Sequence, residues 1–271
     1  MQGMIEKRGS IGIIWIDNPP VNAISHAVRE GLIKAVENAS KDSEIKGLVL
    51  ACRGRTFMAG ADITEFASGV KPPWLGEVID TMSESSKVIV AAIFGTTFGG
   101  GLEVALGCNY RIADSNTKIG LPEVKLGIIP GAQGTQRLSR VSSVEFALKL
   151  ATLGNPVGAQ EALEAGAIDK ISNGELIDDA VSYAEELLKN NAPLKKSHTL
   201  SIDPKKYNDA KELKKISYDD YLASNLQIMD SSAVAIAREN NIPIKVFSIN
   251  EKNAFVKAVN NEIKTSEIYN V

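Results

Sequence analysis

Residues 88–108 constrain this chain most. An apolar run of strand length (VIVAAIF, 88–94) passes through a glycine-rich loop (95–101) into an apolar segment of helix length (LEVALGC, 102–108). Strand, tight loop and buried helix in that order point to an α/β fold with both faces of the strand covered. Gly99, Gly100 and Gly101 remove every Cβ from the turn, so the backbone there can approach a bound group closely. The helix that follows turns free N–H groups and the positive end of its dipole toward the loop, a natural place to hold a developing negative oxygen. Glu103 stands two residues past the triplet, and Glu123 follows 20 residues later in Gly120-Leu121-Pro122-Glu123. Taken singly these features are bland: the glycines suit a tight turn, Glu103 suits a helix dipole, and a loop glutamate is usually solvated. As a pair beside one glycine-lined loop, the carboxyl groups suggest acid/base chemistry next to an oxygen anion. Burial would raise both pKa values and let one group stay protonated.

The rest of the chain extends the α/β pattern. Residues 11–16 (IGIIWI) and 47–51 (GLVLA) read as buried strands, and 110–113 and 118–119 as short ones. Ser25 caps a helix through about residue 39, with Val28, Leu32, Ala35 and Val36 at helical spacing. Further helices are expected at 143–152, 159–165 and 176–189. Composition shifts at Asn190-Asn191-Ala192-Pro193, and residues 194–215 are lysine-rich without apolar periodicity, which predicts a linker or domain edge. Helices at 217–226, 231–239 and 253–259 and a strand at 242–249 are expected beyond it, in a tail too small to form a secure core alone.

Several function classes are disfavoured. A net charge of −3 gives no basic field for nucleic acid. The longest apolar run, 88–94, is too short to span a bilayer, and MQGMIEKRGS carries no apolar signal core. Cys52 and Cys108 lie in apolar segments and read as reduced core residues, so a cytoplasmic protein is expected. With two histidines, a Ser-His-Asp triad or a His-rich metal site is disfavoured, and no metal is expected. The glycine triplet fits neither a dinucleotide fingerprint nor a phosphate loop. The segment Met58-Ala59-Gly60-Ala61-Asp62-Ile63 is again rich in small residues, and its Ala61 N–H can face the first donor across a cleft. A simple turn accounts for that segment equally well.

Five motifs, in order and spacing, resemble the crotonase (enoyl-CoA hydratase/isomerase) superfamily. They are Ala59-Gly60-Ala61-Asp62, Gly99-Gly100-Gly101-Leu102-Glu103, Gly120-Leu121-Pro122-Glu123, Gly127-Ile128-Ile129-Pro130-Gly131 and Gly134-Thr135-Gln136-Arg137-Leu138. Asn18-Pro19-Pro20-Val21-Asn22-Ala23 matches as well, and the likeness covers about residues 5–195. It is strongest to the hydratase part of bifunctional fatty-acid β-oxidation enzymes. The resemblance implies a spiral of ββα units and an acyl-CoA thioester substrate, with coenzyme A part of that substrate and no separate cofactor. It implies an oxyanion hole from the Ala61 and Gly100 N–H groups, a water activated by Glu103 for attack at C3, and a proton from Glu123 to C2. Ala23, Ala59, Asp62 and Ile63 match positions whose backbone lines the CoA site, and Gly131 matches a glycine beside the second glutamate. Both glutamate positions are filled, so hydration (a lyase reaction) is favoured, with Δ3-Δ2 isomerisation by Glu123 as a secondary activity.

The tail departs from that pattern. Asp203-Pro204-Lys205-Lys206, Ile216-Ser217-Tyr218, Ile228-Met229-Asp230, Ala233 to Arg238 and Ile242-Pro243-Ile244-Lys245-Val246-Phe247 resemble the last quarter of bacterial uridylate (UMP) kinase. The expected organisation is a crotonase-like core at 1–195 and a lysine-rich linker with a kinase-like fragment at 196–271. That family's glycine-rich nucleotide loops have no counterpart here, so no kinase activity is expected. Crotonases are often homotrimers, and the segment that usually makes the trimer is the one replaced. The alternatives are other thioester chemistry such as isomerisation, a catalytically impaired chimera acting as an interaction module, or nucleotide transfer through the tail.

Overall fold

The computed structural model describes residues 4–65, 69–202, 214–224, 231–247 and 253–270. Contacts divide the chain into two units, Met1–Pro204 and Lys205–Val271. The strands of the first are β1 (Met4–Arg8), β2 (Ile11–Ile16), β3 (Gly47–Cys52), β4 (Val88–Ile93), β5 (Thr96–Phe98), β6 (Tyr110–Ala113), β7 (Lys118–Gly120), β8 (Val157–Gly158) and β9 (Lys170–Ile171). Its helices are α1 (His26–Lys41), α2 (Leu75–Ser83), α3 (Gly100–Gly107), α4 (Gly134–Val141), α5 (Val144–Leu153), α6 (Ala159–Glu164) and α7 (Leu176–Lys189).

Six strands form the main sheet in the order β1-β2-β3-β4-β6-β9. The first pair is an antiparallel hairpin and every later pairing is parallel. Every residue of β2, β3 and β4 is buried. Alternate residues face opposite layers, which is why these runs are apolar throughout rather than every second residue. Ile14, Ile16, Leu48, Leu50, Ile89 and Ala91 join a core with Val28, Leu32 and Val36 of α1 and with α2 and α3. Ile13, Trp15, Val49, Ala51, Val90 and Ala92 face a second core, closed by Ala180, Ala184 and Leu187 of α7.

A smaller sheet, β5-β7-β8, positions the site. Phe98 pairs with Gly120, and the Gly99 N–H donates to Gly120 O at 2.9 Å. The two chain segments that lead to Glu103 and Glu123 therefore leave this sheet side by side.

Three expectations change in the first unit. The helix expected at residue 102 begins within the glycine triplet, at Gly100. Helices α2 and α4 were not anticipated. The stretch expected to begin a linker is packed through Thr199: Lys195 Nζ pairs with Asp169 at 2.7 Å, and Ser197 Oγ donates to Leu106 O at 2.6 Å.

The described residues of the second unit form β10 (Lys215–Ser217), β11 (Ile244–Phe247) and β12 (Thr265–Tyr269), in the order β10-β12-β11. Helices α8 (Tyr218–Ala223), α9 (Ser231–Glu239) and α10 (Ala254–Val259) accompany them. Tyr218, Tyr221, Val234, Ala237 and Ile268 make a small core. The kinase-like motifs Asp203-Pro204-Lys205-Lys206 and Ile228-Met229-Asp230, and the ends of the elements expected at 217–226 and 242–249, lie outside the described residues. Among the described residues, no helix is long and apolar enough to cross a membrane.

Candidate active site

Residues 58–62 run between two neighbouring segments. The Ile24 N–H donates to Gly60 O at 2.9 Å and the Asp62 N–H to Ile24 O at 3.4 Å, while the Phe98 N–H donates to Met58 O at 3.2 Å. Gly60 takes φ +132°, a region that side chains rarely enter. Ala61 is thereby brought against Gly100, where a Cβ on Gly100 would lie 3.5 Å from Ala61 N. Gly100 is the first residue of α3, so its N–H has no acceptor within the helix. Among the described residues neither of these two N–H groups meets a backbone acceptor elsewhere. Two free donors thus face one space.

The two glutamates reach the same space in different surroundings. Glu103 is buried, and its Oε1 accepts from the Ala132 and Gly134 N–H groups, both at 2.8 Å. Burial pushes its carboxyl up to about 6 from an ordinary 4.5, aided by the Glu123 charge and opposed by the two N–H donors. Glu123 is also buried and its carboxyl is raised, chiefly by burial. Its Oε2 has no hydrogen-bond partner among the described residues. A buried acceptor left open in this way marks a place where a ligand donor or a proton fits.

A cavity of about 470 Å³ joins these groups. Ala59, Ala61, Asp62, Ile63, Gly100, Glu103, Glu123 and Gly131 lie on its wall. Ala23 does not: its carbonyl accepts from Asn18 Nδ2 at 2.7 Å and from the Ser25 N–H at 2.9 Å. The Asp62 carboxylate is turned onto its own loop, accepting from the Thr64 N–H and hydroxyl. Ile24, Leu75, Leu126, Ile128 and Ile129 give the rest of the wall its apolar character.

Sequence reasoning missed two supports of this wall. Gly134 opens one of the quoted motifs and Ala132 follows another, but their role as donors to Glu103 requires the fold. Arg29, on α1, carries no sequence signal for such a role. It is buried, pairs with Glu65 at 2.9 Å and donates to the carbonyls of Ile24, Lys71 and Pro73, tying α1 to the cavity's rim.

The family model for enoyl-CoA hydratase/isomerase matches residues 6–231. The chain belongs to that family. A peroxisomal bifunctional enzyme of Cavia porcellus is 44% identical over 195 residues, 71% of this chain and 27% of that protein. A probable enoyl-CoA hydratase of Bacillus subtilis (strain 168) is 35% identical over 225 residues, 74% of this chain and 87% of the relative. The chain therefore spans about a quarter of the bifunctional relative but most of the bacterial one. Among solved structures, an enoyl-CoA hydratase from Bacillus anthracis superposes with a TM-score of 0.64 at 30% identity, covering 69% of this chain and 76% of that one. The fold is the crotonase-like α/β fold of the enoyl-CoA hydratase/isomerase family.

For this family member the raised Glu103 carboxyl has a consequence for stability. The folded chain holds the Glu103 proton more tightly than the unfolded chain, between about pH 4.5 and 6. That contribution is fully present below pH 4.5 and is lost as pH rises through about 6. It amounts to about 2 kcal/mol. Glu103→Gln stays neutral at every pH and is expected to melt above wild type at pH 8, with the difference vanishing near pH 4. Equal melting temperatures across that range, read by circular dichroism, would show that Glu103 is not destabilised by burial.

Proposed function

We propose that the chain is an enoyl-CoA hydratase that adds water across trans-2-enoyl-CoA thioesters. The observation that carries this reading is the unequal environment of the two glutamates beside two free N–H donors. The Ala61 and Gly100 N–H groups act on the thioester oxygen, which gains charge as the enolate forms, so they stabilise the transition state more than the ground state. Glu103, held toward its carboxylate by two donors, takes a proton from water as the hydroxyl adds to C3. Glu123, raised by burial and with an open Oε2, delivers a proton to C2. One water is consumed and the two carboxyl groups exchange roles, so a proton must return from Glu103 to Glu123 before the next turnover. Acyl-CoA is the small-molecule partner, coenzyme A is part of the substrate, and no separate cofactor or metal is required. Ala59, Asp62, Ile63 and Gly131 contribute backbone to the CoA-facing wall.

The test is loss of the enoyl chromophore of crotonyl-CoA with the purified full chain. Turnover is expected, with an acid limb: activity falls as pH drops through about 6, where Glu103 takes up its proton. A folded protein with no turnover sinks the proposal and favours the interaction-module reading.

Three finer readings belong to the same proposal: a cytoplasmic location, a homo-oligomer in which the segment that usually makes the family's trimer is replaced, and a kinase-like segment from about residue 203 without kinase activity. The separate unit Lys205–Val271 supports the last, although the family match reaches residue 231, past that boundary. Phosphate transfer from ATP to UMP by the full chain would overturn it.

A further inference from the structure

Arg137 lies in the motif Gly134-Thr135-Gln136-Arg137-Leu138, and the proposed chemistry gives its side chain no part. Its side chain is fully buried. Nε donates to Gln133 Oε1 at 3.0 Å, and Nη2 to Asp80 Oδ1 at 2.9 Å. Nη1 donates to Ser83 Oγ at 2.8 Å and to Ser197 Oγ at 3.0 Å, and lies 3.3 Å from His198 Nδ1. Gln133 is held at the other end of its amide as well, its Nε2 donating to Asp80 Oδ1 at 3.0 Å. Burying a guanidinium against a half-exposed aspartate contributes little to stability by itself. The arrangement makes sense by what it fixes.

Gln133 sits between the two residues whose N–H groups bond Glu103. It adopts φ +74°, a left-handed conformation that costs a residue with a Cβ on the order of 1 kcal/mol and persists only when its surroundings impose it. The Ala132 and Gly134 N–H groups converge on one carboxylate oxygen only while that conformation holds. We propose that Arg137 is a positioning residue for Glu103: by gripping Gln133 it keeps both N–H groups aimed at Glu103 Oε1. The inference rests on the reading of Glu103 as the base. The titratable and charged groups around the turn are Glu123 from the loop after β7, Arg137 from α4, Asp80 and Glu84 from the α2 side, and His198 beyond Arg137.

The experiment is a carbon-13 NMR titration of the Glu103 carboxyl in the glutamate-labelled full chain, assigned by its loss in Glu103→Gln. Gln133→Ala removes the grip without opening the core, and Arg137→Lys keeps the charge but loses the planar fork. Both are expected to raise the Glu103 midpoint by about one pH unit, because the donors that favour the carboxylate are loosened. The acid limb of crotonyl-CoA hydration moves with it. Arg140→Ala, one turn along the same helix, leaves the midpoint unchanged. A wild-type midpoint in folded Gln133→Ala overturns the proposal, as does a wild-type midpoint in Arg137→Lys; if Arg137→Lys does not fold, Gln133→Ala decides. The titration needs no turnover, so an inactive wild type would sink the hydratase reading and still leave this result readable.

Discussion

Glu103→Gln is expected to lower kcat for crotonyl-CoA hydration by ~10²–10⁴-fold, and Glu123→Gln by a similar factor. Both substitutions keep volume and shape, so the cavity wall and the Ala61 and Gly100 donors stay in place. Substrate binding should therefore change far less than turnover, and the loss should fall in kcat rather than KM. Glutamine at 103 still accepts from Ala132 and Gly134 but cannot take a proton from water. Glutamine at 123 cannot deliver one to C2. Because the two carboxyl groups act on one water and one substrate, the double variant should be little worse than either single one. Equal turnover in wild type and both single variants, each with a folded spectrum, would remove the two-glutamate mechanism. A large loss for Glu123→Gln alone would instead favour isomerisation, which moves one proton and needs no activated water.

The layout of the sheet was legible because burial on both faces writes itself into sequence. IGIIWI, GLVLAC and VIVAAI are apolar throughout, and each became a fully buried strand. Helix α7 was readable to its ends, since its apolar positions recur at 3.6 spacing over 14 residues. Helix α4 was hidden for the opposite reason. Its buried residues are Gly134, Arg137 and Leu138, so one of its inward positions carries a charge and the binary pattern fails. The site divides the same way. The glycines and both glutamates announced themselves, because small residues beside a carboxyl group are uncommon in a core. What distinguishes the glutamates did not. The Glu103 donors come from residues 29 and 31 positions away, and no local pattern links them. The domain edge expected within 194–215 contains the boundary at Pro204, but its first residues are packed, because lysine-rich composition says nothing about Ser197, which is buried against α3 and Arg137.

Gly101→Ala is expected to be strongly damaging, both to stability and to turnover. A Cβ there would sit 2.0 Å from Met58 O and 2.7 Å from Met58 C, and both atoms belong to backbone that cannot swing aside. Gly101 has ordinary helical geometry, so the demand is for space rather than for an unusual φ. Overpacking a core usually costs 1–3 kcal/mol, and a backbone contact this short puts the substitution at roughly the upper end or beyond. The relief available is for residues 58–61 to move away from α3. That movement separates Ala61 from Gly100 and opens the gap between the two free N–H groups. Where the variant still folds, turnover should therefore fall far more than the fraction unfolded, since preorganised donors lose their effect with small displacements. Gly158→Ala is the matched control: it lies away from the cavity wall, and a Cβ there meets nothing within 4 Å. Melting temperature and kcat measured on both variants separate the outcomes. A Gly101→Ala protein with wild-type stability and turnover would mean that α3 and residues 58–61 are not in the contact that brings the two donors together.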